Sequence, residues 1–298
     1  MTQNKCCRYG TNLRRRRRRC RKILRSIIFS CSIIAVAVFV AVGSRMITSG
    51  DGGTNRYDVE AGNNTYDNAV IENSKISEKN KIQNNQSMLD DIMNSTQYPK
   101  QLKDLALKNE EALEFVYDYP AEHVKEHTID LTEEASMDSV PLFVQWDKRW
   151  GYEKYSGNFF AASGCGPTTL SMVVVYLTHN REASPIAVAK YSKEAGYSVD
   201  GSGSSWTLIS EGCMHYGVKA KAVALDESRM KAELDEGHPI VVNVGPGDFT
   251  DTGHFMVITG YDDEGFSIND PNSIEKSGKR WLFRNISSQI RAVWSMYV

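Results

Sequence analysis

Apolar residues are spaced in three different ways along this chain, and each spacing predicts a different kind of structure. Between Arg25 and Arg45 runs SIIFSCSIIAVAVFVAVGS, nineteen residues without a charge. About twenty apolar residues at 1.5 Å each cross a bilayer core of roughly 30 Å, and a helix in a soluble core seldom lacks a polar face over that length. Residues 26–44 therefore predict a transmembrane helix. From 45 to 97 the apolar positions are scattered among Asn, Ser, Gly, Asp, Glu and Lys. Such a stretch cannot bury enough surface to offset its ordering entropy and predicts a disordered, flexible tether. After Pro99 the spacing becomes helical: Leu102, Leu105, Ala106, Leu113 and Val116 recur with Lys and Glu between them, predicting a helix that Pro120 stops. Residues 98–139 form a helical prelude, a brace for the C-terminal domain, with no feature that points to chemistry.

From 140 to 298 the pattern alternates between helical and strand-like stretches. Pro167 followed by Leu170, Val173, Val174 and Leu177 predicts a helix that begins at Cys165. Ser184-Pro185 opens a helix that Gly196 ends, and Asp226 or Ser228 opens one that Gly237 ends. Trp206, Ile209, Cys213 and Tyr216 share one face of a further helix. Val218 to Ala224 and Ile240 to Val244 read as strands, as does the apolar run after His254. Asp262-Asp263-Glu264-Gly265 reads as a hairpin turn and Phe266 to Asp270 as the returning strand. The fold class is thus mixed, α/β (α+β), within one domain.

The formal charge of −2 conceals an intensely basic start. Lys5, Arg8, Arg14 to Arg19, Arg21, Lys22 and Arg25 precede the apolar run, and positive charge stays on the cytoplasmic side. Residues 1–25 are then a cytoplasmic tail, and everything after Ser44 lies outside the cell membrane. This topology accounts for the arginine run, so no nucleic-acid partner is expected. Ala41-Val42-Gly43 also offers small residues for a signal peptidase; cleavage there would change anchoring and not compartment. Of six cysteines, four lie in the first thirty-one residues, leaving Cys165 and Cys213 for the remainder. No CxxC pair or Cys/His cluster has zinc-ligand spacing, and His123 and His127, four apart, have no third ligand nearby. Neither a metal nor a cofactor is expected.

The candidate chemistry begins at Cys165. A helix N-terminus presents unpaired amides and the positive end of the dipole, which stabilise a thiolate, the nucleophilic form of cysteine. The flanking Gly164 and Gly166 leave room for a substrate backbone. His254 and Asp270 fall on paired strands near the same end of a hairpin. A carboxylate there accepts one ring N–H and leaves the other nitrogen to face a thiol. Gly201 to Ser205 and Gly245 to Asp248 are either rims of a substrate cleft or plain connectors. Cys213 is read as core.

The order nucleophile helix, histidine strand, acid strand resembles that of papain-like cysteine peptidases. Val140-Pro141-Leu142-Phe143-Val144-Gln145-Trp146-Asp147-Lys148-Arg149-Trp150, Gly164-Cys165-Gly166-Pro167, Gly253-His254-Phe255 and Asn269-Asp270-Pro271-Asn272 together are similar to the C39-like peptidase family. Tyr98-Pro99 through Tyr119-Pro120 resembles the prelude of many bacterial members. The resemblance implies a papain-like fold, with the nucleophile helix packed on an antiparallel sheet, and a peptide or protein substrate. It implies Cys165 as nucleophile, His254 as proton carrier and Asp270 as orienter. It also offers Gln145 as an oxyanion-hole donor beside the backbone N–H of Cys165. Because twenty residues separate Gln145 from Cys165, Asn158 stands as the alternative donor. The same triad would serve an amidase or acyl transferase acting on cell-wall peptides. An inactive binding module with Cys165 bonded to Cys213 is the non-enzymatic alternative.

Overall fold

A computed structural model describes residues 63–298, with side chains from residue 77 onward. The expected tail (1–25), transmembrane helix (26–44) and start of the tether lie outside the described residues. Among the described residues no helix is long and apolar enough to cross a membrane. The chain divides into two units, Met1–Val70 and Ile71–Val298, and apart from the start of the first helix every described element belongs to the second.

Where a flexible tether was expected, Asn63–Asn94 is an α-helix, α1. Its composition is polar and rich in Asn, and residues 77–91 are mostly exposed. Near its end Ile92 is fully buried, with Met88 and Leu89 packed against the same cluster. The prelude is likewise more broken than its spacing predicts. Helix α2 (Lys100–Lys108) ends at Asn109, a 3₁₀ turn covers Glu110–Ala112, and α3 (Leu113–Tyr117) follows. Pro120 does not stop a helix but sits in the first turn of α4 (Tyr119–Glu122), where its missing N–H costs nothing. Leu102, Leu105, Ala106, Leu113 and Val116 are all buried as their spacing implies, in a cluster with Phe115, Phe159 and Ala161. Helix α5 (Thr132–Ser136) completes the prelude.

The domain proper begins with two short strands, β1 (Lys154–Tyr155) and β2 (Asn158–Phe159), then α6 (Phe160–Ser163) and α7 (Cys165–Thr178). Helix α8 (Pro185–Glu194) is capped by Ser184 Oγ on the Ala187 N–H and ends before Gly196 at φ +80°, a conformation that L side chains rarely adopt. A second small hairpin pairs β3 (Ser198–Val199) with β4 (Gly203–Ser204). The single helix expected through Trp206 and Tyr216 is instead α9 (Thr207–Ser210) plus a 3₁₀ turn over Gly212–Tyr216. Ile209 and Cys213 are buried there, but Trp206 stands 48% exposed.

The main sheet has six strands in the order β5-β10-β6-β7-β8-β9, all neighbours antiparallel. They are β5 (Lys219–Ala222), β6 (Ile240–Val244), β7 (His254–Asp262), β8 (Gly265–Asn269), β9 (Arg280–Trp281) and β10 (Ile290–Tyr297). Helix α10 (Glu227–Asp235), capped by Asp226, lies between β5 and β6; α11 (Ile274–Ser277) follows β8, and α12 (Phe283–Ile286) precedes β10. The apolar runs of β6 and β7 are continuous because both sheet faces are covered. Val241, Phe255 and Val257 join α7 and α8 in one cluster, while Ile240, Val242, Met256 and Ile258 join Met230 of α10 in another. Helix α7 is apolar almost all round, and Gly166 to Val175 are all buried. Each Leu or Val buried there contributes about 1.5–3 kcal/mol, which holds the first turn of α7 against the start of β7.

Candidate functional site

Antiparallel pairing explains why three residues distant in sequence meet. Strands β6 and β7 pair Val244 with His254, so His254 is the first residue of its strand. Strands β7 and β8 pair Val257 with Asn269, which brings the end of β8 back to the start of β7. Asp270 follows directly, and its Oδ1 accepts from His254 Nε2 at 2.7 Å. Asp270 is fully buried and His254 nearly so. With Nε2 engaged, Nδ1 is the ring nitrogen left for the Cys165 thiol, which lines the same cavity as His254. Cys165 is the first residue of α7 and half-buried.

The electrostatics of the pair follow from these partners. Burial alone raises a thiol pKa, but His254, by hydrogen bond and by charge, and the backbone N–H groups of Phe255 and Gly166 outweigh it and hold Cys165 below its ordinary value. Burial alone also disfavours an imidazolium; the charge and hydrogen bond of Asp270, then Cys165, outweigh that and raise His254. Cys213 has only backbone N–H groups beside it, and desolvation outweighs them and pushes it up to about 11. The two cysteines are free thiols, which is not the disulfide that an inactive binding module would carry.

The two glycines of the cysteine box serve packing. A Cβ at Gly164 would lie 2.6 Å from the Phe160 ring, and one at Gly166 2.6 Å from Ser204 Oγ. A side chain at either position would therefore collide with the domain itself.

Two cavities meet at Cys165. One, of about 490 Å³, is lined by Gln145, His254, Gly247 to Gly253, Asn272 and Lys276, and by Gln101, Asp104 and Lys108 of α2. The other, of about 680 Å³, is lined by Ser156, Gly201 to Ser204, Trp206, Gly245, Pro246 and Arg291. Cys165, Asn158, Ala162, Thr252 and Gly253 line both. The Gly201 and Gly245 loops are thus cleft walls. Gln145 is buried, and its Nε2 donates to Ala161 O at 2.8 Å, with Asn272 Oδ1 at 3.4 Å. Asn158 Oδ1 accepts the Phe159 N–H at 2.8 Å. Both candidate oxyanion donors therefore border the same cavity as the thiol. Among the described residues no His, Cys, Asp or Glu cluster has a metal-binding arrangement; His123 Nδ1 bonds Tyr119 O at 2.6 Å and His127 lies 3.5 Å from Glu122.

The spacing of the prelude carried no hint that it forms part of the cleft. Gln101, Asp104 and Lys108 interleave with the buried face of α2, as solvent-facing residues of any brace helix would.

A helix-borne thiol, a buried imidazole and a carboxylate at one end of the inner strands of an antiparallel sheet define a cysteine-peptidase-like domain. Residues 137–298 match the Peptidase_C39 like family, and the chain belongs to it. No curated protein matches. Among solved structures, the chain is similar to the peptidase domain of Streptococcus ComA, a bi-functional ABC transporter involved in quorum sensing, at 19% identity and a TM-score of 0.39; the match covers 53% of this chain and 96% of that one. It is also similar to a Bacillus anthracis protein described as a C39-like peptidase, at 18% identity and a TM-score of 0.34, over 53% of this chain and 95% of that one.

Proposed function

We propose that the protein is a membrane-anchored, extracytoplasmic cysteine peptidase of papain-like fold that cuts peptide bonds through Cys165, His254 and Asp270. The observation that carries this reading is a buried imidazole hydrogen-bonded to a buried carboxylate, with a half-buried thiol at a helix N-terminus on the same cleft. Cys165 attacks the carbonyl carbon, His254 gives its proton to the leaving amine, and water then releases the acyl group from sulfur with His254 as base. Asp270 holds the ring and its charge. Gln145, whose second N–H has only a long contact to Asn272, donates to the developing oxyanion with the backbone N–H of Cys165; Asn158 is the alternative donor.

A thiol-directed probe at mildly acidic pH tests the site before any substrate is known. Cys165 is expected to react about tenfold or more faster than Cys213, since one thiol is lowered and the other raised. Peptide mass analysis that found equal labelling in the folded protein would defeat the assignment.

The location rests on the apolar run at 26–44 and the arginines before it. Protease added to intact cells is expected to release the domain into the medium. Complete protection, with other surface proteins cleaved, would place the domain on the other side.

A further inference from the structure

Asp270 does not hold its place through β8 alone. Its N–H donates to Ser277 Oγ at 2.9 Å, its Oδ1 accepts the Asn272 N–H at 2.8 Å, and it bridges to Ser273. The carboxylate facing His254 is therefore set by the turn 271–273 and by α11. That turn is gripped from the prelude, at residues that lie outside the segment matching the family.

Two side chains make the grip. Glu111 Oε2 accepts the backbone N–H groups of Ile274 at 2.7 Å and Glu275 at 3.1 Å, and its Oε1 accepts the Ser273 hydroxyl. Asn109 Nδ2 donates to Asn272 O at 2.9 Å and Asn272 Oδ1 at 3.1 Å. Asn109 Oδ1 in turn accepts the Glu111 N–H at 3.0 Å, so the two are fixed to each other. Asn272 Oδ1 also lies 3.4 Å from Gln145 Nε2, which links the same grip to the candidate oxyanion donor.

We infer that Asn109 and Glu111 are positioning residues of the active site: the prelude clamps the turn 271–275 and thereby fixes Asp270 against His254. This rests on the role proposed for Asp270. A displacement of about 1 Å in a group that must align with another costs up to a hundredfold in rate, so a clamp on this turn acts directly on turnover. The charged or titratable groups facing His254 are Cys165 from α7 and Asp270; Asp104 and Lys108 of α2, Asp248 and Asp251 of the β6–β7 loop and Lys276 of α11 border the same cavity. Asp270 is the one hydrogen-bonded to the ring.

The test uses the full-length protein and measures alkylation of Cys165 by iodoacetamide across pH, beside peptide hydrolysis. In the native chain the alkylation rate changes at two points, one where the thiol ionises and one at higher pH where His254 gives up its proton. For Glu111→Ala the upper point is expected to move down by about half a unit to one unit while the lower one stays, because a displaced Asp270 supports the imidazolium less. Glu111→Gln, whose amide oxygen still accepts the Ile274 N–H, reverses most of the shift. Asn109→Ala shifts it in the same direction by less. If Glu111→Ala fails to fold, Glu111→Gln and Asn109→Ala carry the comparison. An unchanged labelling profile in folded Glu111→Ala and Asn109→Ala overturns the clamp while leaving a peptidase. A native chain that labels as expected yet cuts no peptide overturns the peptidase reading, and a shifted profile in the variants still supports the clamp.

Discussion

Cys165→Ala is expected to abolish hydrolysis of any peptide the protein cuts while substrate binding persists. The covalent route vanishes with the sulfur, and the loss is about 10⁵-fold or more in kcat, as when a nucleophile that acts in concert with its base is deleted. Binding survives because the cleft walls belong to other elements: α2, the Gly201 loop and the β6–β7 loop. His254→Ala is nearly as severe, since the thiol loses its ion-pair partner and the leaving amine its proton donor. That variant also leaves Asp270 buried without its imidazole, and breaking a buried pair destabilises by about 3–5 kcal/mol. His254→Gln, which keeps a donor toward Asp270, therefore belongs beside it, with thermal unfolding to separate lost chemistry from lost structure. Steady-state kinetics on a peptide found by library cleavage, with calorimetry for binding, decide the matter. Appreciable turnover by folded Cys165→Ala would show that another group carries the reaction.

How much of this was readable in the residues depends on the range of the forces involved. The nucleophile helix was legible because everything that starts it is local: Pro167 in its first turn and an apolar stretch long enough for four turns. The hairpin that pairs His254 with Asp270 was legible for a similar reason, since an apolar run, a polar turn and a return strand fix which end each residue occupies. The helix from 63 to 94 was not, because its polar residues predict no buried face; near its end Met88, Leu89 and Ile92 pack against the prelude. The break at Asn109 was hidden as well. Ala106 and Leu113 are seven apart, which suits one continuous helix as well as two, and the reason for the interruption lies 163 residues away at Asn272. The packing of Gly166 was hidden for the same cause: Ser204, which excludes a side chain there, is a tertiary neighbour.

Asp270→Asn is expected to reduce activity only in part and to move the basic limb of the pH profile. The Asp270 Oδ1 that meets His254 Nε2 also accepts the Asn272 N–H, and an amide oxygen in that place accepts both. The ring should therefore keep its position and tautomer. The carboxylate charge is what changes. Burial pulls the His254 pKa down, and the charge of Asp270 is the leading cause that raises it. The active pair, thiolate and imidazolium, exists between the lowered pKa of Cys165 and the raised pKa of His254, so the loss of charge brings the upper boundary down and leaves the lower one nearer its place. A shift of about one to two units is expected on the basic side, with kcat/KM near neutral pH reduced about tenfold to a hundredfold. The Oδ2 position has no hydrogen-bond partner, so an NH₂ there gains none, and a modest loss of stability accompanies the change. Kinetics across pH on folded Asp270→Asn check both numbers. If the variant were as inactive as Cys165→Ala, holding the imidazole would be the wrong role for Asp270, and a direct part in proton transfer or substrate binding would have to replace it. If its basic limb stayed in place while the rate fell, the carboxylate would matter for geometry and not for charge.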